Sequence, residues 1–226
     1  MRPWLLLDSV ATPDGKGQLS LHQRGSEFSI RIDGAELMNS RQHASEEAMA
    51  VLACAHLAHE VRPRVLIGGL GMGFTLAATL AEVPSGARVE VAELLAAVVR
   101  WNEGALGPLA GAPLRDPSVT VHCRDVREVI EASSARYDAI LLDVDNGPDG
   151  LTQSGNGWLY SAGGLSRLAK SLTANGRLCV WSAGPSAAFT KRLQAAGYDV
   201  TAHRVAARPG GKGAKHVVWV ANQRRR

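Results

Sequence analysis

Beyond Arg62-Pro63 the chain repeats one unit: a short, continuously apolar run, then glycine or acidic residues, then a stretch of helical character. The apolar runs are Val65 to Ile67, Val89 to Ala92, Val119 to Cys123, Ala139 to Leu142 and Leu178 to Trp181. Helical segments run through Ala81, through Asn102, over Val126 to Ala132, over Leu159 to Leu172 and over Ser186 to Ala196. Strands buried on both faces read as unbroken apolar runs, and parallel strands need helical crossovers between them. The series therefore predicts an α/β chain with a mostly parallel sheet and helices on both faces. Val200 to Val205 and His216 to Val220 follow each other closely enough to form an antiparallel hairpin at the sheet edge.

The first forty residues differ. Gln18 to Gln23 and Glu27 to Ile32 alternate apolar with polar around the turn Arg24-Gly25-Ser26, which predicts a β-hairpin, and Glu36-Leu37-Met38 after Asp33-Gly34 predicts a short third strand. A helix is expected from Ser45, as N-cap before Glu46 and Glu47, to Glu60, with His56 and His59 on one face. The division this predicts is a small N-terminal β domain, residues 1–44, ahead of a larger domain, residues 45–226.

Composition narrows the function classes. The chain has 226 residues, 46% of them hydrophobic and 20% charged, enough to bury a core without disulfides or metals. Its net charge of +4 owes much to Arg224 to Arg226 and to the segment Arg208 to Lys215. No stripe of Lys and Arg interleaved with aromatics appears, so nucleic acid is not an expected partner. Cys54, Cys123 and Cys179 lack the spacing of a zinc site or a disulfide framework and are expected to be buried thiols. The apolar start, Trp4 to Leu7, is too short for a signal segment, and no stretch is long enough to span a bilayer, which makes the cytoplasm the expected location and a membrane no partner.

In open parallel sheets, ligands bind beyond the carboxyl ends of the strands. At the first such end Gly69, Gly71 and Gly73 let the backbone turn sharply and aim N–H groups at a ligand, although glycines also serve tight strand-to-helix packing. Glu93 follows the second run about twenty residues on, where an acid can hold two ribose hydroxyls or simply start a helix. Asp125, with Val126, follows the third; it can accept from an adenine amine or cap a helix. The three together suit an adenosine. The fourth run ends in Asp143-Val144-Asp145-Asn146, and carboxylates so close together repel unless something cationic is near. An amine substrate supplies that cation, and a carboxylate beside it can take the proton an ammonium must lose before its nitrogen attacks. No His or Glu follows with metal-ligand spacing, so no metal is expected there. Glycines followed by an acid also describe an NAD site, but no Tyr-Lys or His pair for hydride transfer accompanies them. Trp101, Trp158 and Trp181 are expected to pack.

These residues resemble the spermidine synthase family, polyamine aminopropyltransferases that carry a small β domain on a Rossmann-like, methyltransferase-type sheet. The resemblance spans nearly the whole chain. It runs through Ile32-Asp33-Gly34, Arg41 and Ser45 to Met49, the glycine motif Leu66 to Gly73, Glu93 as the ribose acid, Asp125 at adenine, Asp143 where the catalytic Asp begins an Asp-x-x-Asp-Pro motif, and Leu159-Tyr160-Ser161 after it. It implies a transferase that moves an alkyl group, aminopropyl by default, from a donor co-substrate that is not tightly bound. That donor is decarboxylated S-adenosylmethionine or S-adenosylmethionine itself. The resemblance also implies a small-molecule amine acceptor, Asp143 as proton acceptor, substrate contacts from Glu46, Glu47, Asp145, Asn146 and Tyr160, and a homodimer formed through the β domains. The departures are specific. Gly71 stands where the family has an Asp that helps hold the donor's amine. Asn146 aligns with the second catalytic Asp unless Asp145 replaces it by a one-residue shift, and the Pro is displaced to Pro148. Glu46 and Glu47 replace a substrate-contacting Tyr and a Gln. A methyltransferase on the same scaffold, or a nucleoside-binding protein without catalysis, are the alternatives.

Overall fold

The computed structural model describes residues 2–13, 15–144, 148 and 156–224. The chain opens with β1 (Leu5–Ala11), β2 (Gln18–Arg24), β3 (Glu27–Ile32) and β4 (Ala35–Asn39), an antiparallel sheet in that order. The expected hairpin pairs Leu19 with Ile32 and Arg24 with Glu27, and Leu19, Leu21, Phe28 and Ile30 are buried. Strand β1 was not foreseen because Leu5, Leu6 and Leu7 do not alternate with polar residues; all three are exposed, and the pairing to β2 is irregular between Leu6 and Asp8.

Helix α1 (Ala44–Cys54) starts one residue before the expected N-cap. His43 holds the cap position without a side-chain bond to a backbone N–H of the helix, and Ser45 lies inside the helix, buried, with its hydroxyl spent elsewhere. The helix also ends early: Ala55–Leu57 form a 3-10 turn, so His56 and His59 do not share a helix face, and His56 Nε2 bonds the carbonyl of Asp138 at 3.1 Å. Next come β5 (Arg64–Gly68), α2 (Phe74–Glu82), β6 (Arg88–Ala92), α3 (Ala96–Glu103), β7 (Val119–His122), α4 (Val126–Glu131), β8 (Tyr137–Leu142), α5 (Ala162–Ser171), β9 (Leu172–Ser182), α6 (Ala187–Ala195), β10 (Tyr198–Arg208) and β11 (Lys212–Gln223). Helix α5 begins three residues later than expected because Ser161 caps it, accepting from the N–H of Gly164 at 3.1 Å.

The second sheet has the order β10-β11-β9-β8-β5-β6-β7. Strands β9, β8, β5, β6 and β7 are parallel, and β11 returns antiparallel between β9 and β10, as the hairpin expectation required. Side chains alternate across this sheet with period two. Val65, Ile67, Ala139, Leu141, Cys179 and Val218 face α1, α2 and α3; Leu66, Ile140, Leu142, Leu178, Val180 and Trp219 face α4, α5 and α6. Burying one such aliphatic side chain is worth roughly 1.5–3 kcal/mol. The first core layer continues without a break into Leu19, Leu21, Phe28 and Ile30, so the N-terminal sheet is packed onto the same core. Cys54 and Cys179 are buried as expected, whereas Cys123, just past the end of β7, is exposed. Among the described residues no helix is long and apolar enough to cross a membrane.

One polar cluster interrupts the second layer. Glu90 on β6 is buried and accepts from Arg136 at 2.7 Å, from Tyr137 Oη at 3.2 Å and from Arg64 at 3.5 Å, with His122 Nε2 at 2.9 Å. Burial alone would raise its pKa, but Arg136 and His122 outweigh it and hold the carboxyl below its ordinary range. A depressed folded-state pKa stabilises the fold above the unfolded value and loses that contribution as pH falls through the folded one. Glu90→Gln is therefore expected to cost about 3 kcal/mol in urea unfolding at pH 7, the low end for a broken buried pair because both arginines are partly solvated. The deficit against wild type should shrink in acid. A variant as stable as wild type at pH 7 contradicts this.

Candidate functional site

The sheet order reverses between β5 and β8, and the helices that follow these two strands, α2 and α5, lie on opposite faces, opening a crevice. The loop after β5 is anchored on both sides: Gly69 N–H donates to the Ala92 carbonyl at 2.9 Å, and Asp143 N–H donates to the Gly68 carbonyl at 2.9 Å. Gly69 has φ +90°, and a Cβ there would stand 2.3 Å from the Asp143 carbonyl oxygen, so only glycine lets the two strand ends touch. Over this crevice lies the N-terminal sheet. Together they enclose a cleft of about 470 Å³, within the usual range for small-molecule sites.

Of the expected site residues, Gly69, Gly71, Glu93, Asp125, Val126, Glu46 and Asp143 line this cleft. Gly73 sits behind it as the residue before α2, with φ +83°. Glu47 is directed to His43 Nδ1 at 2.8 Å, and the His43 ring stacks on Phe74 at 4.3 Å. Tyr160 is buried, and its hydroxyl donates to the Val144 carbonyl at 3.2 Å, so it supports the loop after β8. Asp145 and Asn146 lie outside the described residues. Trp158 packs against the Arg127 guanidinium, 4.7 Å from its ring centre, and Trp101 donates its indole N–H to Asp8 at 2.7 Å.

Glu93 is buried, and each carboxylate oxygen already accepts one backbone N–H: Oε2 from Leu70 at 3.0 Å, Oε1 from Leu95 at 2.9 Å. Burial raises its pKa, opposed by these N–H groups. Two oxygens fixed in this way keep further lone pairs for a pair of vicinal hydroxyls. Asp125 does cap α4, accepting the N–H of Arg127 at 2.8 Å, and it also faces the cleft; its two readings are compatible.

The acidic end of the cleft is unusual. Asp143 accepts from Thr75 Oγ1 at 2.7 Å and has its pKa raised by burial, with Thr75 opposing. Glu46, entering from α1, is pushed up to about 7, first by burial and then by the charge of Asp143. Two carboxyls in one low-dielectric pocket cannot both ionise cheaply, so the pair retains a proton or attracts a cation.

Among the cleft residues that sequence reasoning missed, Thr75, Met38, Trp181 and His216 bear on its chemistry. Thr75 had a signal, a hydroxyl in the first helical turn after the glycines. Met38, Trp181 and His216 had none, since only the strand registers bring them there. Met38 sets its thioether against Gly71: a Cβ on Gly71, at φ +52°, would meet Met38 Sδ and Cε at 3.3 Å.

Residues 110–214 match the model of an S-adenosyl-L-methionine-dependent methyltransferase family. Among solved structures, the chain is similar over 97% of its length to 73% of the spermidine synthase from Thermotoga maritima, at 14% identity and a TM-score of 0.74. It is similar over 97% of its length to 72% of a spermidine synthase bound to the transition-state analogue AdoDATO, at 14% identity and TM-score 0.73. Over 81% of its length it is similar to 80% of the 1,6-didemethyltoxoflavin-N1-methyltransferase of Burkholderia thailandensis, solved with 1,6-didemethyltoxoflavin and S-adenosylhomocysteine, at 22% identity and TM-score 0.57. No curated protein matches. The fold is therefore the Rossmann-like methyltransferase type, with a mostly parallel seven-stranded sheet preceded by a four-stranded antiparallel one.

Proposed function

We propose that this protein transfers a methyl group from intact S-adenosylmethionine to the nitrogen of a small-molecule amine. The observation that carries the choice of donor is the Met38 thioether seated against Gly71. In the spermidine synthase family an Asp at the position of Gly71 helps hold the donor's amine; here no side chain stands at that position and the Met38 thioether lies against it. Removal of the acid also removes a charge that would repel the methionine carboxylate. The methyltransferase family match and the methyltransferase among the similar folds support the same reading.

The residues fit such a donor. The buried Glu93 carboxylate would take the ribose hydroxyls, Asp125 and Val126 would border the adenine, and the backbone of Gly69 to Gly71 would lie along the amino-acid portion. When bound, the donor supplies an electrophilic carbon on a sulfonium. The chain's own work is orientation and a proton transfer. The Asp143–Glu46 pair draws an ammonium into the cleft and accepts one proton from it, which frees the lone pair that attacks. The second reading, aminopropyl transfer to a polyamine by a divergent spermidine synthase relative, is favoured by that same acidic pair.

Calorimetric titration separates the two readings. Intact S-adenosylmethionine is expected to bind at least tenfold tighter than the decarboxylated donor, about 1.4 kcal/mol. Gly71→Asp should reverse the order, since Asp tolerates positive φ better than most residues and the Met38 chain end can yield. Equal affinity in wild type, or no change in preference with the variant, sinks the assignment of the donor. We also infer a homodimer, supported by the three exposed leucines on edge strand β1 and tested by light scattering.

A further inference from the structure

A carboxylate pair that accepts a proton from each acceptor must release it before the next turnover. Asp143 faces the cleft and is bonded to Thr75, and Glu46 has a neighbour that leads elsewhere. Ser45 Oγ donates to Glu46 Oε2 at 2.5 Å, accepts the indole N–H of Trp181 at 3.1 Å, and lies 2.8 Å from Nδ1 of His216. Ser45 is buried, and His216, on β11, lines the same cleft. We propose that Ser45 and His216 form, with Glu46, a hydrogen-bonded path that carries the acceptor's proton out of the cleft, an inference that rests on the reading of the acidic pair given above.

The chemistry of the three partners enforces the path. An indole nitrogen only donates, so Trp181 permanently fills one lone pair of the Ser45 hydroxyl. What remains is one O–H and one lone pair, shared between Glu46 and His216. Two arrangements satisfy them. With Glu46 ionised, Ser45 donates to the carboxylate and Nδ1–H of His216 donates to Ser45. With Glu46 protonated, its O–H donates to Ser45, Ser45 donates to a bare Nδ1, and the imidazole carries its proton on Nε2. The two differ by one proton, held on Glu46 in the second and lost to solvent in the first, and by which imidazole nitrogen is protonated, with no heavy atom displaced. Taken in sequence, the acceptor ammonium gives a proton to the acidic pair, its nitrogen bonds the methyl carbon, and the C–S electron pair stays on sulfur. The proton on Glu46 then moves to Ser45 as the Ser45 proton moves to Nδ1, and Nε2 releases one to solvent. Burial lowers the pKa of His216, so it does not keep the charge. The Trp181 ring packs edge-on to the imidazole at 4.7 Å from β9, and Val205 lies opposite on β10. The charged groups bearing on the path are Glu46 with its neighbours Asp143 and Glu47, and Lys215 next along β11.

The test needs no acceptor. Imidazole nitrogen shifts of His216 are followed by NMR against pH in the wild-type chain, in Ser45→Ala and in Glu46→Gln. In wild type the two ring nitrogens are expected to exchange protonated and unprotonated character as pH falls through about 7, where Glu46 titrates. In both variants that exchange should vanish, and His216 should show a single protonation at lower pH. A His216 that titrates alike in all three proteins overturns the path. S-adenosylmethionine binding, measured on the same samples, reports separately on the donor site, so loss of the path and loss of the functional reading are distinguishable.

Discussion

Replacing Asp143 with Asn is expected to lower turnover by about 10²–10⁴-fold with any amine the wild-type protein alkylates, while donor affinity changes only a few-fold. An amide still accepts from Thr75 Oγ1, so the loop after β8 keeps its anchor, but an amide nitrogen does not take a proton. The substitution also removes the charge that helps raise Glu46, whose midpoint should fall from about 7 toward the ordinary carboxylate range. Single-turnover rates over a panel of primary and secondary amines, with an NMR titration of Glu46, measure both effects. Unchanged rates with a shifted Glu46 midpoint would falsify the role of Asp143 as proton acceptor and leave it as a structural acid.

Glu93→Gln carries the second large effect. Both oxygens of Glu93 accept backbone N–H groups, so an amide must turn its NH₂ toward either Leu70 N–H or Leu95 N–H, donor against donor. That leaves a buried donor unpaired, at about 1–3 kcal/mol of stability. The same change removes an acceptor from the ribose hydroxyls, and hydrogen bonds to charged groups contribute about 1.5–3 kcal/mol each. Donor affinity should therefore fall by roughly tenfold to a hundredfold or more, by the conversion of about 1.4 kcal/mol per tenfold. Wild-type affinity in a folded variant would remove Glu93 from the donor site.

Much of the site was legible because its residues sit where buried strands end. The runs Val65 to Ile67 and Ala139 to Leu142 announce strands, and whatever follows them must lie at one edge of the sheet; Gly69, Glu93, Asp125 and Asp143 were readable on that ground alone. Helix ends were less so. Ser45 has the composition of an N-cap, yet its hydroxyl is held by Trp181 and His216, partners 136 and 171 residues away, and long-range hydrogen bonds override local capping preference. Glu47 reads as well as Glu46 for a cation site, but one step along α1 turns it toward His43. The apolar wall of the cleft was hidden for a different reason. Met38 reaches Gly71 only through the packing of the N-terminal sheet over the crevice, and the β3–β4 register that presents it is irregular between Ile30 and Arg31, where periodicity gives no guidance.

On the proposed reading, the cleft beneath the N-terminal sheet holds an adenosyl donor on Glu93. Calorimetric titration of S-adenosylmethionine into the wild-type chain and into Glu93→Gln tests it most directly. One site per chain is expected in the wild type and a loss of at least about tenfold in the variant. Absence of binding to the wild type, or equal affinity in the two proteins, contradicts it.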